Sequence, residues 1–167
     1  RQTRDDAAGE AFDKIARVLG YPYPGGPHIN ALAKVGNPDA IEFPRPLLEK
    51  GNFDFSFSGL KSAVLNYING KQQKGESICH EDVAASFQKA ITDVLVEKMK
   101  EAAHTLGETK IALAGGVSAN SGLQRDLQAM CEAEGLTYLT AGSMLATDNA
   151  AMIGCRAYYM PVSYTHL

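Results

Sequence analysis

Residues 110–134 constrain the fold of this chain more than any other stretch. A short apolar run, Lys110 to Ala114, reads as a buried strand; Gly115 and Gly116 break it, and a helix pattern runs from about Asn120 to Glu134. Thr137 to Leu139 can form a further strand beyond that helix. Strand, helix and strand in this order predict an α/β arrangement with a parallel pair near Gly115. The glycine doublet is open to two readings, a tight turn or a place where a ligand approaches the backbone, because glycine tolerates positive φ and has no Cβ.

Helical spacing also runs from Asp5 to Leu19, with Ala8, Phe12, Ile15, Ala16 and Leu19 on one face. Asp5 and Asp6 suit its positive end and Gly20 its C-terminal cap. YPYPGGP, Tyr21 to Pro27, is rigid loop chemistry, and Pro27 fits the first residue of a short helix that Gly36 ends. Pro38, Pro44 and Pro46 mark 37–52 as a surface loop. Phe53, Phe55 and Phe57 alternate with polar residues, the pattern of a half-buried strand. Ser58 suits the cap of a helix over roughly Gly59 to Ile68, and Gly70 to Ser77 reads as a polar linker. The longest helix pattern covers Glu81 to Leu106, and a last one Asp148 to Tyr159. Three strands make a thin sheet for so many helices, which fits a lobe of a larger α/β protein.

The bulk numbers narrow the class. A chain of 167 residues, 45% hydrophobic and 21% charged, can bury one sizeable core. A net charge of −3 argues against a dedicated nucleic-acid module but not against a nucleic-acid substrate held by a local patch. Lys61, Lys71, Lys74, Lys89, Lys98, Lys100 and Arg125 are the candidates for phosphate contacts, and read otherwise as solvated helix faces. Cys79, Cys131 and Cys155 form no C-x-x-C pair, so reduced thiols and a cytoplasmic location are expected rather than a zinc ribbon or disulfides. No apolar run reaches membrane-spanning length. His28, His80, His104 and His166 lack H-x-x-x-H and H-E-x-x-H spacing, and no serine sits in G-x-S-x-G, which disfavours a self-contained metalloprotease or a serine hydrolase.

Three stretches can carry chemistry. In GGVSAN the helix N-terminal amides can face an anionic or polar ligand, although neither a P-loop nor a full dinucleotide fingerprint is present. In TDNAAMIG, capping explains Thr147, Asp148 and Asn149, and a metal ligand at Asp148 is the sharper alternative. In DDAAGEAFDK, Asp6, Glu10 and Asp13 lie near one side of a helix. They form either a solvated acidic face with a Glu10–Lys14 pair or carboxylates for ribose hydroxyls.

In this order, DDAAGEAFDKIARVLG, YPYPGGP, FPRP, FDFSFSGLK, ALAGGVSAN and TDNAAMIG resemble the bacterial TsaD family over residues 2 to about 160. These are the tRNA adenosine threonylcarbamoyltransferases, once labelled glycoproteases. The resemblance implies a two-lobed fold of the actin, Hsp70 and sugar-kinase type, with 1–160 mostly its C-terminal lobe carrying a helical insertion. It implies transfer of a threonylcarbamoyl group from threonylcarbamoyl-AMP to N6 of the adenosine beside the anticodon, with release of AMP. Asp13, Gly26 and Asn120 match the family's nucleotide contacts, and Asn30 stands where the pattern often has a nucleotide-binding aspartate. Asp148 matches a carboxylate ligand of one divalent metal, Fe2+ with Zn2+ as the alternative. A paralogous subunit and a small ATPase of the same pathway are the implied protein partners, alongside the tRNA.

Departures from the pattern shape the expectation. The family's H-x-x-x-H of metal-binding histidines and its N-terminal lobe have no counterpart here, and the tail 161–167 leaves the pattern. A fragment inactive by itself is therefore expected. A non-catalytic paralogue, or a related ATPase or sugar-kinase lobe, are the competing readings.

Overall fold

One long helix organises the packing. The computed structural model describes residues 3–46, 49, 51–140, 145, 146 and 148–160. Its helix α4 (His80–Leu106) has 27 residues, about 40 Å at 1.5 Å per residue, and serves two cores. Val83, Phe87, Ile91 and Val94 of its first half pack with α1 (Ala8–Val18), α2 (Gly25–Ala33) and α3 (Ser58–Gln73) through Phe12, Ile15, Ile29, Leu60 and Val64. Its far half closes a smaller core with Ala103, against Ile111, Leu123, Leu127, Met130 and Cys131. That second core holds the strand–helix–strand unit. β1 (Lys110–Leu113) passes through a 3-10 turn (Gly116–Ala119) into α5 (Ser121–Glu134), and β2 (Thr137–Thr140) returns parallel to β1 with Lys110 opposite Thr137. A last helix, α6 (Ala150–Tyr158), buries none of its residues. The two-stranded parallel sheet among helices confirms the α/β class expected from 110–139. No helix of the described residues is long and apolar enough to cross a membrane.

Several local expectations are corrected, and in one case an aspartate from elsewhere in the chain is the reason. Phe53 to Phe57 form no strand; only an isolated parallel bridge joins Thr3 to Phe55. Alternation here serves packing instead, with Phe57 buried at the head of α3 and its ring stacked 6.2 Å from that of Phe55. Ser58 does not cap α3. Asp5 does, accepting from the Phe57 N–H at 2.8 Å and from the hydroxyls of Ser56 at 2.5 Å and Ser58 at 2.6 Å. Asp5 is therefore outside α1, which begins at Ala8, and Asp6 is drawn to Lys14 at 2.6 Å. Glu10 joins the same lysine at 2.7 Å, as the acidic-face reading expected. α3 also runs through Gly70 to Gln73, into the supposed linker, because Lys71, Gln72 and Gln73 favour helix. Lys98 is not on a solvated face: it is 3% exposed, donates to the Asn52 carbonyl at 2.5 Å and lies 5.6 Å from the Phe55 ring centre.

Asp5 has a measurable consequence. Desolvation pushes its carboxyl up, but the bonds from Ser56, Ser58 and the Phe57 and Ser58 amides outweigh it and hold the pKa at about 2 against an ordinary 3.8. A lowered folded pKa means the stabilisation is complete above the ordinary value and is lost as pH falls through the folded one. Since Asp5 is exposed, the contribution is screened to the order of 1 kcal/mol. Urea melts from pH 6 to pH 2 should show this loss between about pH 4 and pH 2, and Asp5→Ala should remove it. An identical acid limb in the variant would refute the cap.

Candidate nucleotide site

A cleft of about 500 Å³ opens where the two cores meet, and it gathers residues from three distant segments. α1 contributes Gly9, Phe12 and Asp13, the loop and start of α2 contribute Tyr23, Pro24, Gly26, Pro27 and Asn30, and the 3-10 turn contributes Gly116, Val117, Ala119 and Asn120. Val117 packs against both cores and so ties the walls together. The walls are mainly apolar, with a few polar groups set among them, the usual make-up of a small-molecule site. Asp13, Gly26, Asn30 and Asn120, the four residues singled out in the sequence for a nucleotide, all line this one cleft.

Each has a local reason to be where it is. Asp13 faces the start of α2, whose own cap residue, Pro24, has no side-chain donor or acceptor to offer. The Gly25 N–H donates to Asp13 Oδ1 at 2.7 Å, which ties α1 to α2 and suits the positive end of that helix. No bond among the described residues takes the second carboxylate oxygen, so it remains an acceptor for a ligand hydroxyl. Gly25 must be glycine, because a Cβ there would lie 2.6 Å from Ala16 Cβ and 2.7 Å from Asp13 Cα. Gly26, one residue on, has open space where its Cβ would be. The two glycines thus divide the work, one letting the helices meet and the other leaving the cleft open.

The doublet 115–116 divides in the same way. Gly115 has φ 89° and ψ 169°, a conformation essentially reserved for glycine. It makes the turn out of β1. Gly116 lines the cleft with nothing within 4 Å of a built Cβ. The expected free amides at the helix start are corrected, however. Asn120 is the N-cap of α5 and its Oδ1 accepts from the Leu123 N–H at 3.0 Å, while Ser121 and Gly122 line a different cavity. Asn30 Oδ1 accepts from the Ser121 hydroxyl at 3.0 Å, so its carbonyl oxygen is already engaged.

Asp148 is exposed, two residues before α6, and does not line the cleft. Asn149 is the cap of α6, accepting from the Met152 N–H at 3.1 Å, and Thr147 lies outside the described residues, as does the tail 161–167. Among the described residues no three His, Cys, Asp or Glu side chains come together as a metal site. Of the basic candidates, Lys71, Lys89 and Lys100 are paired with Glu76, Asp93 and Glu134, and Arg125 with its neighbour Asp126. Sequence reasoning missed the apolar walls. Tyr23 and Pro24 read only as loop residues, and Phe12 only as core, since no local pattern tells a wall of a cleft from a packed face.

Comparison with known proteins identifies the family. The family model described as TsaD: tRNA N6-adenosine threonylcarbamoyltransferase matches residues 1–155. A protein of that name from Moorella thermoacetica is 59% identical over 157 residues, 94% of this chain and 46% of its own length. Those from Clostridioides difficile strain 630 and Clostridium botulinum strain 657 are 56% and 55% identical over 158 residues, covering 95% of this chain and 47% and 46% of theirs. The chain spans about half the length of the curated relatives it matches. With the family model matching residues 1–155 and more than half the residues identical to these relatives, the chain belongs to the TsaD family.

Proposed function

We propose that the cleft between the two cores holds the adenylate of threonylcarbamoyl-AMP, and that this chain contributes that site to transfer of the threonylcarbamoyl group onto N6 of a tRNA adenosine. The observation that carries it is the convergence of Asp13, Gly26, Asn30 and Asn120 on one cleft. Asp13 would take ribose hydroxyls on its second oxygen, and Gly26 and Gly116 would let the nucleotide lie close to the backbone. In the transfer, the adenosine amine attacks the carbamoyl carbonyl, the new C–N bond forms, the bond to the phosphate oxygen breaks so that AMP leaves, and the nitrogen gives up its proton to solvent. We place 1–160 in the C-terminal lobe of a two-lobed actin-like fold, and expect a paralogous subunit, a small ATPase and a cytoplasmic setting on the same resemblance.

A divalent metal, iron or zinc, is part of this reading, and its chemistry would be polarisation of the carbonyl. Asp148 is an exposed carboxylate available as one ligand. One carboxylate is not a metal site, and its partner ligands have to come from outside the described residues, so no step here is assigned to the metal.

Titration of this chain with AMP tests the site. Saturable binding is expected, with AMP preferred to 2′,3′-dideoxy-AMP. Asp13→Asn keeps the oxygen that accepts from Gly25 but replaces the other with a donor. It should weaken AMP about fivefold, the difference between a charged and a neutral hydrogen bond, and abolish the preference. Equal affinity for both nucleotides in the parent chain would sink the assignment.

A further inference from the structure

The Asn120 carboxamide is held from two sides, and the two contacts dictate its orientation. Its Oδ1 accepts from the Leu123 N–H at 3.0 Å. A backbone N–H cannot face an NH2 group, so Nδ2 has to point the other way. There it donates to Gln88 Oε1, on α4, at 2.6 Å. Gln88 is itself set in place by a glycine: a Cβ on residue 122 would come within 2.6 Å of Gln88 Nε2 and 3.2 Å of Asn120 Oδ1. The three residues interlock.

Gln88 does not itself line the nucleotide cleft. It lines a separate polar cavity of about 790 Å³, together with Ser121, Gly122, Arg45, Lys89 and Arg125. Asn120, only 8% exposed, lines the nucleotide cleft, and its bond to Gln88 links that cleft to the second cavity. Nδ2 carries two hydrogens. One goes to Gln88, and no bond among the described residues takes the other.

Resting on the nucleotide reading above, we propose that Gln88 is a positioning residue for this site. It holds the Asn120 carboxamide with nitrogen as the group left for the ligand, so Asn120 recognises a hydrogen-bond acceptor such as a phosphate oxygen. Asp13, with a spare carboxylate oxygen, recognises the hydroxyls. The cleft thereby acquires a polarity, with an acceptor on α1 and a donor at the head of α5, that distinguishes the two ends of a nucleoside monophosphate.

Three variants of this chain test the assignment, with AMP as the probe. Gln88→Met keeps the length and helix preference of the side chain but removes the acceptor, and should raise the Kd for AMP about fivefold, one neutral hydrogen bond's worth of orientation. Gln88→Glu keeps an acceptor for Nδ2 and should bind AMP like the parent. Asn120→Asp keeps the α5 cap but replaces the donor with a negative oxygen, and should lose at least as much affinity as Gln88→Met without lowering the melting temperature. NMR exchange of the Asn120 side-chain NH2 gives a readout independent of AMP: exchange should quicken in Gln88→Met and not in Gln88→Glu. If Gln88→Met changes neither affinity nor exchange, or if Gln88→Glu loses as much as Gln88→Met, the positioning role is overturned. If the parent chain does not bind AMP, the nucleotide reading falls, and the exchange comparison still decides whether Gln88 orients Asn120.

Discussion

Gly25→Ala is expected to lower the stability of this chain by about 3 kcal/mol, the upper end of the usual cost of overpacking a close contact. The new methyl would lie 2.6 Å from Ala16 Cβ, 2.7 Å from Asp13 Cα and 3.0 Å from the Phe12 carbonyl oxygen. Two of these are backbone atoms and the third is fixed one bond from the backbone, so none can swing aside. α2 must then slide away from α1, and the bond from the Gly25 N–H to Asp13 lengthens with it. In urea, the midpoint should fall while the slope stays constant, the signature of lost stability rather than an altered unfolded state. A midpoint within error of the parent would mean that the two helices are not in contact at this point.

The neighbouring position should behave in the opposite manner. Gly26→Leu should leave stability unchanged or slightly raised, since its Cβ meets nothing within 4 Å and leucine prefers helix to glycine. Gly26 lines the cleft, so the new side chain would take up space there. We expect AMP binding to weaken about thirtyfold or more, from about 2 kcal/mol of steric exclusion. That exceeds the effect of Asp13→Asn, which removes one hydrogen bond and leaves the space intact. Unimpaired AMP binding in Gly26→Leu would place the nucleotide elsewhere.

The two predictions differ for adjacent residues of the same type, and nothing in the string PGGP separates them. This is where the limits of legibility lie. Helices and strands in this chain have local causes, such as apolar spacing along residues 8–19 and 81–106 or the glycine break after β1, and they were legible. So was the candidate site, through motifs whose family pattern pointed to Asp13, Gly26, Asn30 and Asn120 before any of them was in contact. The mistaken strand at 53–57 shows the reverse case. Period-two alternation is necessary for a half-buried strand, but a strand also needs a partner, and here Thr3 supplies a single bridge.

By itself, then, the sequence determined most of the helices, the strand–glycine–helix turn at Gly115, the family and four of the residues that line the candidate cleft, Asp13, Gly26, Asn30 and Asn120. Tertiary structure decided how those residues are used. α3 is capped by Asp5, some fifty residues upstream, and α2 by Asp13 rather than by any residue of its own loop. Lys98 is buried against a loop, and Asn120 is oriented by a glutamine on another helix. The physical reason is common to all four. Backbone conformation and apolar periodicity are set by neighbours within a turn or two. The partner of a hydrogen-bonding group is whichever donor or acceptor the fold brings within about 3 Å, and sequence separation leaves no trace of it.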